Sequence, residues 1–414
     1  MDVLPLPAGE RLPGGRSDPD FAFASRGRVL KAYGVDERLD VALDDRSFAD
    51  GRWEEALDRA FRRRKAQGVE NPILVGAVPF DGRQHARLSI PQHYDHEDAG
   101  LMAADPDAAS LNAAALNAIE ETVGRSAFEA AVARAIGLFR DTPLKKVVLS
   151  RPLDVEAREA FASGRLLRAL LRQNPGAYVF SAPVAYGQTL VGASPELLIR
   201  KTGRTVVSNP LAGSAPRSTS AEAERLRTAA LLASAKDRTE HRYVVDAVRA
   251  ALAGHCSRLS VPDAPSVIHT PTMLHLSTEL TGELADPTVS SLRLAHALHP
   301  TPAVCGTPTG LARDAIARLE GYARNWYSGM VGWMDSRGNG EWALSIRCGL
   351  VQGRRLRLYA GAGVVADSTP AAEWEETAAK LTTMLNLFGV GAAQPSNAAS
   401  NAPSNADVPV GMAS

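Results

Sequence analysis

The chain has 414 residues, of which 45% are hydrophobic and 22% charged, a composition typical of a globular protein with a sizeable core. Basic and acidic residues both number 46, so the charge balance gives no sign of a nucleic-acid partner. No apolar run approaches the roughly 20 residues that span a bilayer, and the N-terminus lacks signal-peptide features. Three widely spaced cysteines argue against a disulfide framework. We therefore expect a cytoplasmic protein with no nucleic-acid or membrane partner.

The ends of the chain differ in composition from the part between them. Residues 1–20 are rich in Gly, Pro and Arg and predict a flexible arm, whereas residues 391–414 have almost no bulky apolar side chains and predict a disordered tail. Residues 21–390 mix strand and helix patterns without an obvious linker, which favours a single domain of α/β (α+β) class with large antiparallel sheets. The sequence leaves the oligomeric state open, and a monomer is the default expectation.

Periodicity and turn signals predict six segments in chain order. They are a strand-rich run over 146–155 broken at Pro152, a helix over 163–174, a hairpin over 177–200, one long helix over 219–259, strands over 326–365 around two turns, and a last helix over 370–388.

Two predicted helices each carry a pair of acidic residues three positions apart. Asp237 and Glu240 lie in the long helix, and Glu373 and Glu376 lie in the last one. This spacing puts both carboxylates of a pair on one helix face. Two such faces brought together would offer hard oxygen ligands of the kind that Mg²⁺ binds. Each pair alone is more often a solvated helix face.

Small residues and a strand-borne arginine form a second constellation. Gly361, Ala362 and Gly363 follow a predicted strand and would let backbone N–H groups approach an anion, although a bulge in a buried strand fits equally well. Arg347 is placed by alternation in the preceding strand, on the face of Ala343 and Ser345. A guanidinium among apolar neighbours favours a carboxylate ligand or an ion pair.

Four further residues have both a chemical and a plain structural interpretation. Lys146 begins an apolar strand and Glu196 follows a Ser-Pro turn, so a solvated lysine and a turn-capping glutamate are open alternatives. His275 and His299 fit either a ligand site or a satisfied core position. Their spacing does not match a metal-binding histidine pair.

Taken in order, these motifs and their neighbours resemble the chorismate-utilising enzymes. The resemblance covers roughly residues 120–390, and its specificity comes from the ordered set. The matching segments are Lys146-Val-Val-Leu-Ser-Arg, Gly192-Ala-Ser-Pro-Glu196, Pro210-Leu-Ala-Gly213-Ser214, Ser234-Ala-Lys-Asp237-Arg-Thr-Glu240, His299-Pro-Thr-Pro-Ala303, Ile346-Arg347, Ala360-Gly-Ala-Gly363 and Glu373-Trp-Glu-Glu376-Thr-x-x-Lys380.

The resemblance implies a role for each matching position. Lys146 corresponds to the lysine that activates water, where ammonia-using members carry glutamine, and Glu196 corresponds to the general acid. Glu240 and Glu376 correspond to Mg²⁺ ligands, with Asp237 and Glu373 beside the metal. The substrate-contacting positions implied or suggested are Gly213, Ser214, His275, Ala303, Arg347, Gly361, Ala362, Gly363 and Lys380.

Within the family the chain is most similar to the members that form isochorismate for 2,3-dihydroxybenzoate siderophores. The resemblance therefore implies Mg²⁺-dependent conversion of chorismate to isochorismate, with water adding at C2 and the C4 hydroxyl leaving. Ala303 favours stopping at isochorismate, because salicylate-forming members tend to differ there. A salicylate synthase and a catalytically silent anion- or metal-binding homologue are the alternatives.

Overall fold

The computed structural model describes residues 18–39, 41–104 and 111–390. Residues 1–17 of the predicted arm and the whole predicted tail lie outside the described residues. The α-helices within them are α1 (Asp45–Asp50), α2 (Arg52–Ala66), α3 (Ala99–Ala103), α4 (Arg125–Asp141), α5 (Ser163–Gln173), α6 (Ala221–Ala233), α7 (Ala235–Ala253), α8 (Ser291–Leu298), α9 (Thr309–Leu319) and α10 (Pro370–Leu385).

The strands of the described residues form two large sheets and one small sheet. They are β1 (Phe21–Ser25), β2 (Arg28–Tyr33), β3 (Glu37–Leu39), β4 (Ile73–Val78), β5 (Arg87–Ile90), β6 (His93–Asp98), β7 (Leu116–Glu121), β8 (Lys146–Ala157), β9 (Tyr178–Ala185), β10 (Gln188–Ser194), β11 (Leu197–Thr202), β12 (Thr205–Asn209), β13 (Leu211–Pro216), β14 (Cys256–Ser260), β15 (Ser266–His269), β16 (Met273–Ser277), β17 (Leu280–Leu284), β18 (Gly306–Thr307), β19 (Met330–Asp335), β20 (Gly340–Leu344), β21 (Cys348–Gln352) and β22 (Arg355–Val364).

Strand pairing is antiparallel in all three sheets of the described chain. The first large sheet runs β18-β8-β22-β21-β10-β9-β1-β2-β6, with β7 also pairing β8. The second runs β14-β17-β12-β11-β20-β19-β4-β5-β3, and the small sheet runs β13-β16-β15. The prediction of a mixed fold with large antiparallel sheets is confirmed.

The main core lies between the two large sheets, as in a β-sandwich. Phe23, Phe180 and Leu190 of the first sheet belong to the same apolar cluster as Trp333 and Trp342 of the second. A separate cluster covers the outer face of the first sheet with the leucines of α5 and the end of α10. Helices flank a sandwich core, as expected. None of the helices in the described part of the chain is long and apolar enough to cross a membrane.

Three segments differ from the sequence-based prediction. The strand predicted to break at Pro152 continues, because β8 pairs β22 along its length while Pro152 faces an edge that no strand covers. The long helix is two helices followed by a strand, since Ser234 is extended and its hydroxyl accepts from the Asp237 N–H as an N-cap. Residues 361–363 lie within β22 with regular pairing to β8, and therefore form no bulge.

Candidate active site

A cleft of about 510 Å³, counting its open mouth, lies where the small sheet meets the edge of the first large sheet. It is lined by Val148, Pro195, Glu196, Leu211, Ala212, Gly213, Ser214, Glu240, His275, Ala303, Val304, Tyr327, Ile346, Arg347, Gly361, Gly363 and Lys380.

The small sheet supplies one wall of the cleft. Ser214 on β13 is paired in register with His275 on β16, so their side chains share a face. Gly213 has φ +76° and packs against α7, where an added Cβ would press on Asp237. Glycine is therefore required there both by backbone conformation and by space. The small sheet thus carries three predicted substrate-contacting residues to the cleft.

Arg347 reaches the cleft from a turn and not from a strand. It lies between β20 and β21 with φ 51°, so the prediction that it continues the preceding strand was wrong. A left-handed non-glycine residue costs about 1–3 kcal/mol and is maintained only by its surroundings. The buried guanidinium contacts His275 Nε2 at 3.3 Å. Burial, together with the charges of Arg347 and Lys380, holds the pKa of His275 well below its usual range. A neutral imidazole beside Arg347 leaves this part of the cleft suited to an anion.

Glu196 is a buried carboxyl of the cleft that has no lysine partner among the described residues. It lies between β10 and β11, is 3% exposed, and accepts a hydrogen bond from the Leu211 N–H at 3.2 Å. Burial raises its pKa to about 7, although the Leu211 N–H and the charges of Lys146 and Arg347 act in the opposite direction. A carboxyl that keeps its proton near neutral pH can serve as a general acid.

Three glutamates of the acidic helices are each paired with a lysine. Glu240 Oε1 lies 3.0 Å from Lys146 Nζ, and Glu373 Oε1 lies 2.8 Å from Lys236 Nζ. Glu376 Oε1 lies 2.5 Å from Lys380 Nζ and accepts from the Ser214 hydroxyl at 3.1 Å. The structure therefore brings α7, α10 and the start of β8 together beside the cleft. The Lys236–Glu373 pair joins the two acidic helices, which the sequence pattern alone could not pair.

The charges of this cluster act strongly on one another. Burial and the charge of Glu376 raise the pKa of Glu373 despite the contact with Lys236. Enclosure also acts to raise the pKa of Glu376, but Lys380 and Lys236 outweigh it and lower that pKa. For Asp237, burial raises the pKa and the charge of Glu240 adds to the effect. A cluster of carboxylates that repel one another is suited to a cation.

The four acidic residues have the chemical character of magnesium ligands. All four acidic residues offer carboxylate oxygens, and Glu373 Oε2 is buried without a hydrogen-bond partner. As they stand, no three His, Cys, Asp or Glu side chains of the described residues converge tightly enough to hold one ion. Glu240, Glu373 and Glu376 each contact an ammonium group.

Gly363 explains how Lys146 and Glu240 come together. A Cβ at Gly363 would collide with the Glu240 carboxylate and crowd the Lys146 side chain. Lys146 is fully buried, and its Nζ meets Glu240 at ion-pair distance without a correctly directed hydrogen bond. Lys380 Nζ donates to the Gly361 carbonyl at 3.0 Å. The Gly-Ala-Gly segment thus makes room for charged side chains.

Known proteins match this chain over most of its length. The sequence model of the family described as "chorismate binding enzyme" matches residues 89–389. The chain belongs to the chorismate binding enzyme family. Isochorismate synthase DhbC of Bacillus subtilis is 45% identical over 378 residues, covering 89% of this chain and 94% of that protein. Isochorismate synthase EntC of Escherichia coli K12 is 43% identical over 374 residues, covering 89% and 95%.

A solved structure supports the same relationship within the chorismate binding enzymes. The crystal structure of DhbC from Bacillus anthracis superposes with a TM-score of 0.82 at 42% identity, covering 91% of this chain and 98% of that one. The match confirms the fold.

Two residues that the sequence suggested for the site, Ala362 and His299, are not among those that line the cleft. Ala362 is fully buried and, by strand alternation, faces away from the cleft that Gly361 and Gly363 line. His299 Nε2 contacts the Ser328 carbonyl at 2.8 Å, and burial lowers its pKa to about 4. His299 is therefore a satisfied core histidine.

Some residues of the site carry no recognisable sequence signal. Tyr327 lines the cleft from a loop beside a strand, and Lys236 contacts a glutamate 137 positions away. The position of Lys236 directly before Asp237 was the only available sign. A basic residue within an acidic helix motif is ordinarily a solvated neighbour.

Proposed function

We propose that this chain is an isochorismate synthase that isomerises chorismate to isochorismate with Mg²⁺, in the cytoplasm, for 2,3-dihydroxybenzoate siderophores. The observation that carries the proposal is Glu196, a carboxyl with a pKa near 7 on a cleft whose other charged groups are cationic or lysine-paired. The two isochorismate synthases at 43–45% identity support the same reaction. The free thiols Cys305 and Cys348 are buried and fit a reducing compartment.

Chorismate carries two carboxylates, and the cleft has matching cations. Arg347 and Lys380 line it, and Lys146 is close enough for its charge to act on Glu196. We assign Arg347, with the backbone near Gly361 and Gly363, to the enolpyruvyl carboxylate. A guanidinium suits that role because it binds a carboxylate through two parallel hydrogen bonds.

Lys146 and Glu196 divide the proton transfers of the reaction. Lys146 accepts a proton from the water whose oxygen bonds to C2 of the ring. The ring double bonds shift, the C4–O bond breaks, and Glu196 gives its proton to the departing hydroxyl, which leaves as water. One water enters and one leaves, so substrate and product are isomers. Hydroxide is a poor leaving group, and a protonated Glu196 removes that difficulty.

Glu240 and Glu376 would hold the magnesium ion, with Asp237 and Glu373 beside it. The bound ion would supply a positive charge that neutralises and orients the ring carboxylate. Few protein ligands are needed, because Mg²⁺ keeps waters and accepts substrate oxygens. On this assignment Glu240 and Glu376 would contact the ion in place of Lys146 and Lys380, and the released lysines would face the water and the substrate.

The test of this proposal is the product formed from chorismate. Purified full-length protein is incubated with chorismate and Mg²⁺, and the products are separated by chromatography, with Glu196→Gln as the matched control. We expect isochorismate to accumulate with the unaltered chain only. Accumulation of salicylate and pyruvate would instead establish the salicylate synthase alternative, which Ala303 disfavours. Ammonia-dependent amination would contradict the role of Lys146, and no product at all would indicate a silent homologue.

A further inference from the structure

One edge of β8 is completed by side chains in place of a strand. β18 covers Lys146 and Val147, and β7 covers the strand from Leu153 onward. Between them β8 pairs β22 on one side only. Backbone groups on the uncovered edge need other partners, because a buried N–H or carbonyl without one is costly.

Glu320 and Arg324 provide partners for that edge. The Ser150 N–H and hydroxyl both donate to Glu320 Oε1 at 2.7 Å. Arg324 Nη2 donates to the Val148 carbonyl at 2.7 Å, and the Val148 N–H donates to the Cys305 carbonyl at 2.8 Å. At position 152 the edge carries proline, which has no N–H to satisfy. The Glu320–Arg324 pair therefore takes the place of a neighbouring strand along this part of β8, the strand that begins at Lys146.

Arg324 also holds the opposite wall of the cleft. Its Nη1 donates to the Val304 carbonyl at 2.6 Å, while Nε and Nη2 bond to Glu320 at 2.8 and 2.5 Å. The guanidinium is 3% exposed and stacks over Phe80 at 4.7 Å. A single planar group thus bonds one carbonyl on each of two cleft walls. Lysine, with a compact ammonium, has no such fork.

The two walls carry the residues that decide the reaction. Val148 and Val304 both line the cleft, as does Ala303 directly before Val304. Lys146 lies two residues before Val148 on the same face of β8. Misplacement of reacting groups by about 1 Å can cost on the order of a hundredfold in rate. The separation between these walls therefore bears directly on turnover.

We propose that the buried Arg324–Glu320 pair is a positioning device that sets the separation between the Ala303–Val304 wall and the Lys146 strand. The proposal rests on the proposed function. The pair touches no substrate and acts through backbone carbonyls. It keeps the substrate ring at the distance from Lys146 at which water can be activated, and its loss lowers kcat more than it weakens substrate binding.

The test compares Arg324→Lys with Arg324→Met and with Arg318→Lys. Arg318 is the matched control, since it lies six residues earlier, its side chain is exposed, and its Nε donates to the Asp314 carbonyl. Arg324→Lys keeps a cation for Glu320 but cannot bridge both walls. We expect it to recover most of the melting temperature that Arg324→Met loses, yet to keep a kcat at least about tenfold below the unaltered enzyme. KM should change less than about threefold, and Arg318→Lys should match the unaltered enzyme.

A second readout does not depend on catalysis. Hydrogen exchange followed by mass spectrometry should show faster exchange in peptides covering 146–150 and 301–306 of Arg324→Lys, and not of Arg318→Lys. If both Arg324 variants fail to fold, Ser150→Ala removes one bond to Glu320 and should lower kcat about threefold with KM retained. A full kcat in Arg324→Lys or Ser150→Ala, or unchanged exchange, would overturn the proposal. An unaltered enzyme that does not convert chorismate would refute the proposed function, while the exchange result would still judge the positioning role.

Discussion

Two glutamates beside the same cleft have opposite electrostatic surroundings. Glu196 is enclosed with one backbone N–H as its hydrogen-bond donor, and burial raises its pKa to about 7. Glu376 is also enclosed, but Lys380, Lys236 and the Ser214 hydroxyl together lower its pKa. The first is arranged to hold a proton and the second to stay charged. Identical side chains thus acquire different charge states from their neighbours, which suits the acid role proposed for Glu196 and the metal-ligand role proposed for Glu376.

The largest effects should come from Glu196 and Lys146, the two residues proposed to transfer protons. Glu196→Gln removes the acid while preserving shape, and Lys146→Ala removes the base. We expect each to lower kcat by about 10²–10⁴-fold, the usual contribution of general acid–base groups. Initial-rate measurements of isochorismate formation check this. Near-normal rates in both variants would refute the assigned roles.

On the charged side, Glu240→Gln and Glu376→Gln should remove the response to Mg²⁺. Each keeps the side-chain volume and replaces a carboxylate with a neutral amide, which is a poorer ligand for a hard cation. We expect activity to fall about a hundredfold or more and the heat of Mg²⁺ binding to disappear in calorimetric titrations. Turnover still stimulated by Mg²⁺ in both variants would contradict the metal assignment.

The pH dependence of kcat/KM distinguishes Glu196, whose raised pKa lies in the measured range, from Glu376, whose lowered pKa keeps it charged there. In the proposed reaction Glu196 acts in its protonated form, which predominates below its pKa of about 7. As pH rises through that value the acid loses its proton, so kcat/KM should fall about tenfold per pH unit well above it. Rates measured between pH 6 and 9 at saturating Mg²⁺ test this limb. A flat profile over that range would show that Glu196 is not the acid.

The sequence predicted the parts of this comparison that are local. The apolar strand beginning at Lys146, the turn before Glu196 and the helix opening at Pro370 follow from short-range pattern, and the structure contains all three. The i, i+3 spacing also placed each acidic pair on one helix face. These features depend on propensity and periodicity, which neighbouring residues determine.

Other features depend on tertiary contacts that no local pattern carries. Residues around Arg347 alternate like a strand, yet the chain turns there, where the Ser345 carbonyl accepts from the Ser328 N–H. Glu320 and Arg324 have the spacing of an exposed helix pair but are buried against β8. The contact between Lys236 and Glu373 joins two distant helices. Long-range packing decided each of these against the more frequent local outcome.

The smallest expected effect concerns how α10 presents its carboxylates. The Arg151 guanidinium stacks on Trp374 at 3.7 Å, and its Nε donates to Thr377 Oγ1 at 2.8 Å. These two residues directly follow Glu373 and Glu376. Arg151→Met keeps an unbranched side chain but loses the stacking on Trp374 and the hydrogen bond to Thr377, each worth about 1 kcal/mol. We expect the Mg²⁺ dissociation constant measured by calorimetry to rise roughly three- to tenfold.

Arg125 provides the matched control because it approaches the same ring from outside. Its guanidinium is 6.0 Å from the Trp374 centroid, its side chain is 50% exposed, and it pairs with Glu129 and Glu375. Exposed pairs of this kind contribute about 0–1 kcal/mol. Arg125→Met should therefore leave Mg²⁺ affinity unchanged. Equal losses of Mg²⁺ affinity in both variants would mean that both cations near the Trp374 ring contribute, and not the buried one specifically. A loss confined to Arg151→Met would show that the buried guanidinium orients Glu373 and Glu376. The pH dependence of kcat/KM assigned to Glu196 should be unchanged in both variants.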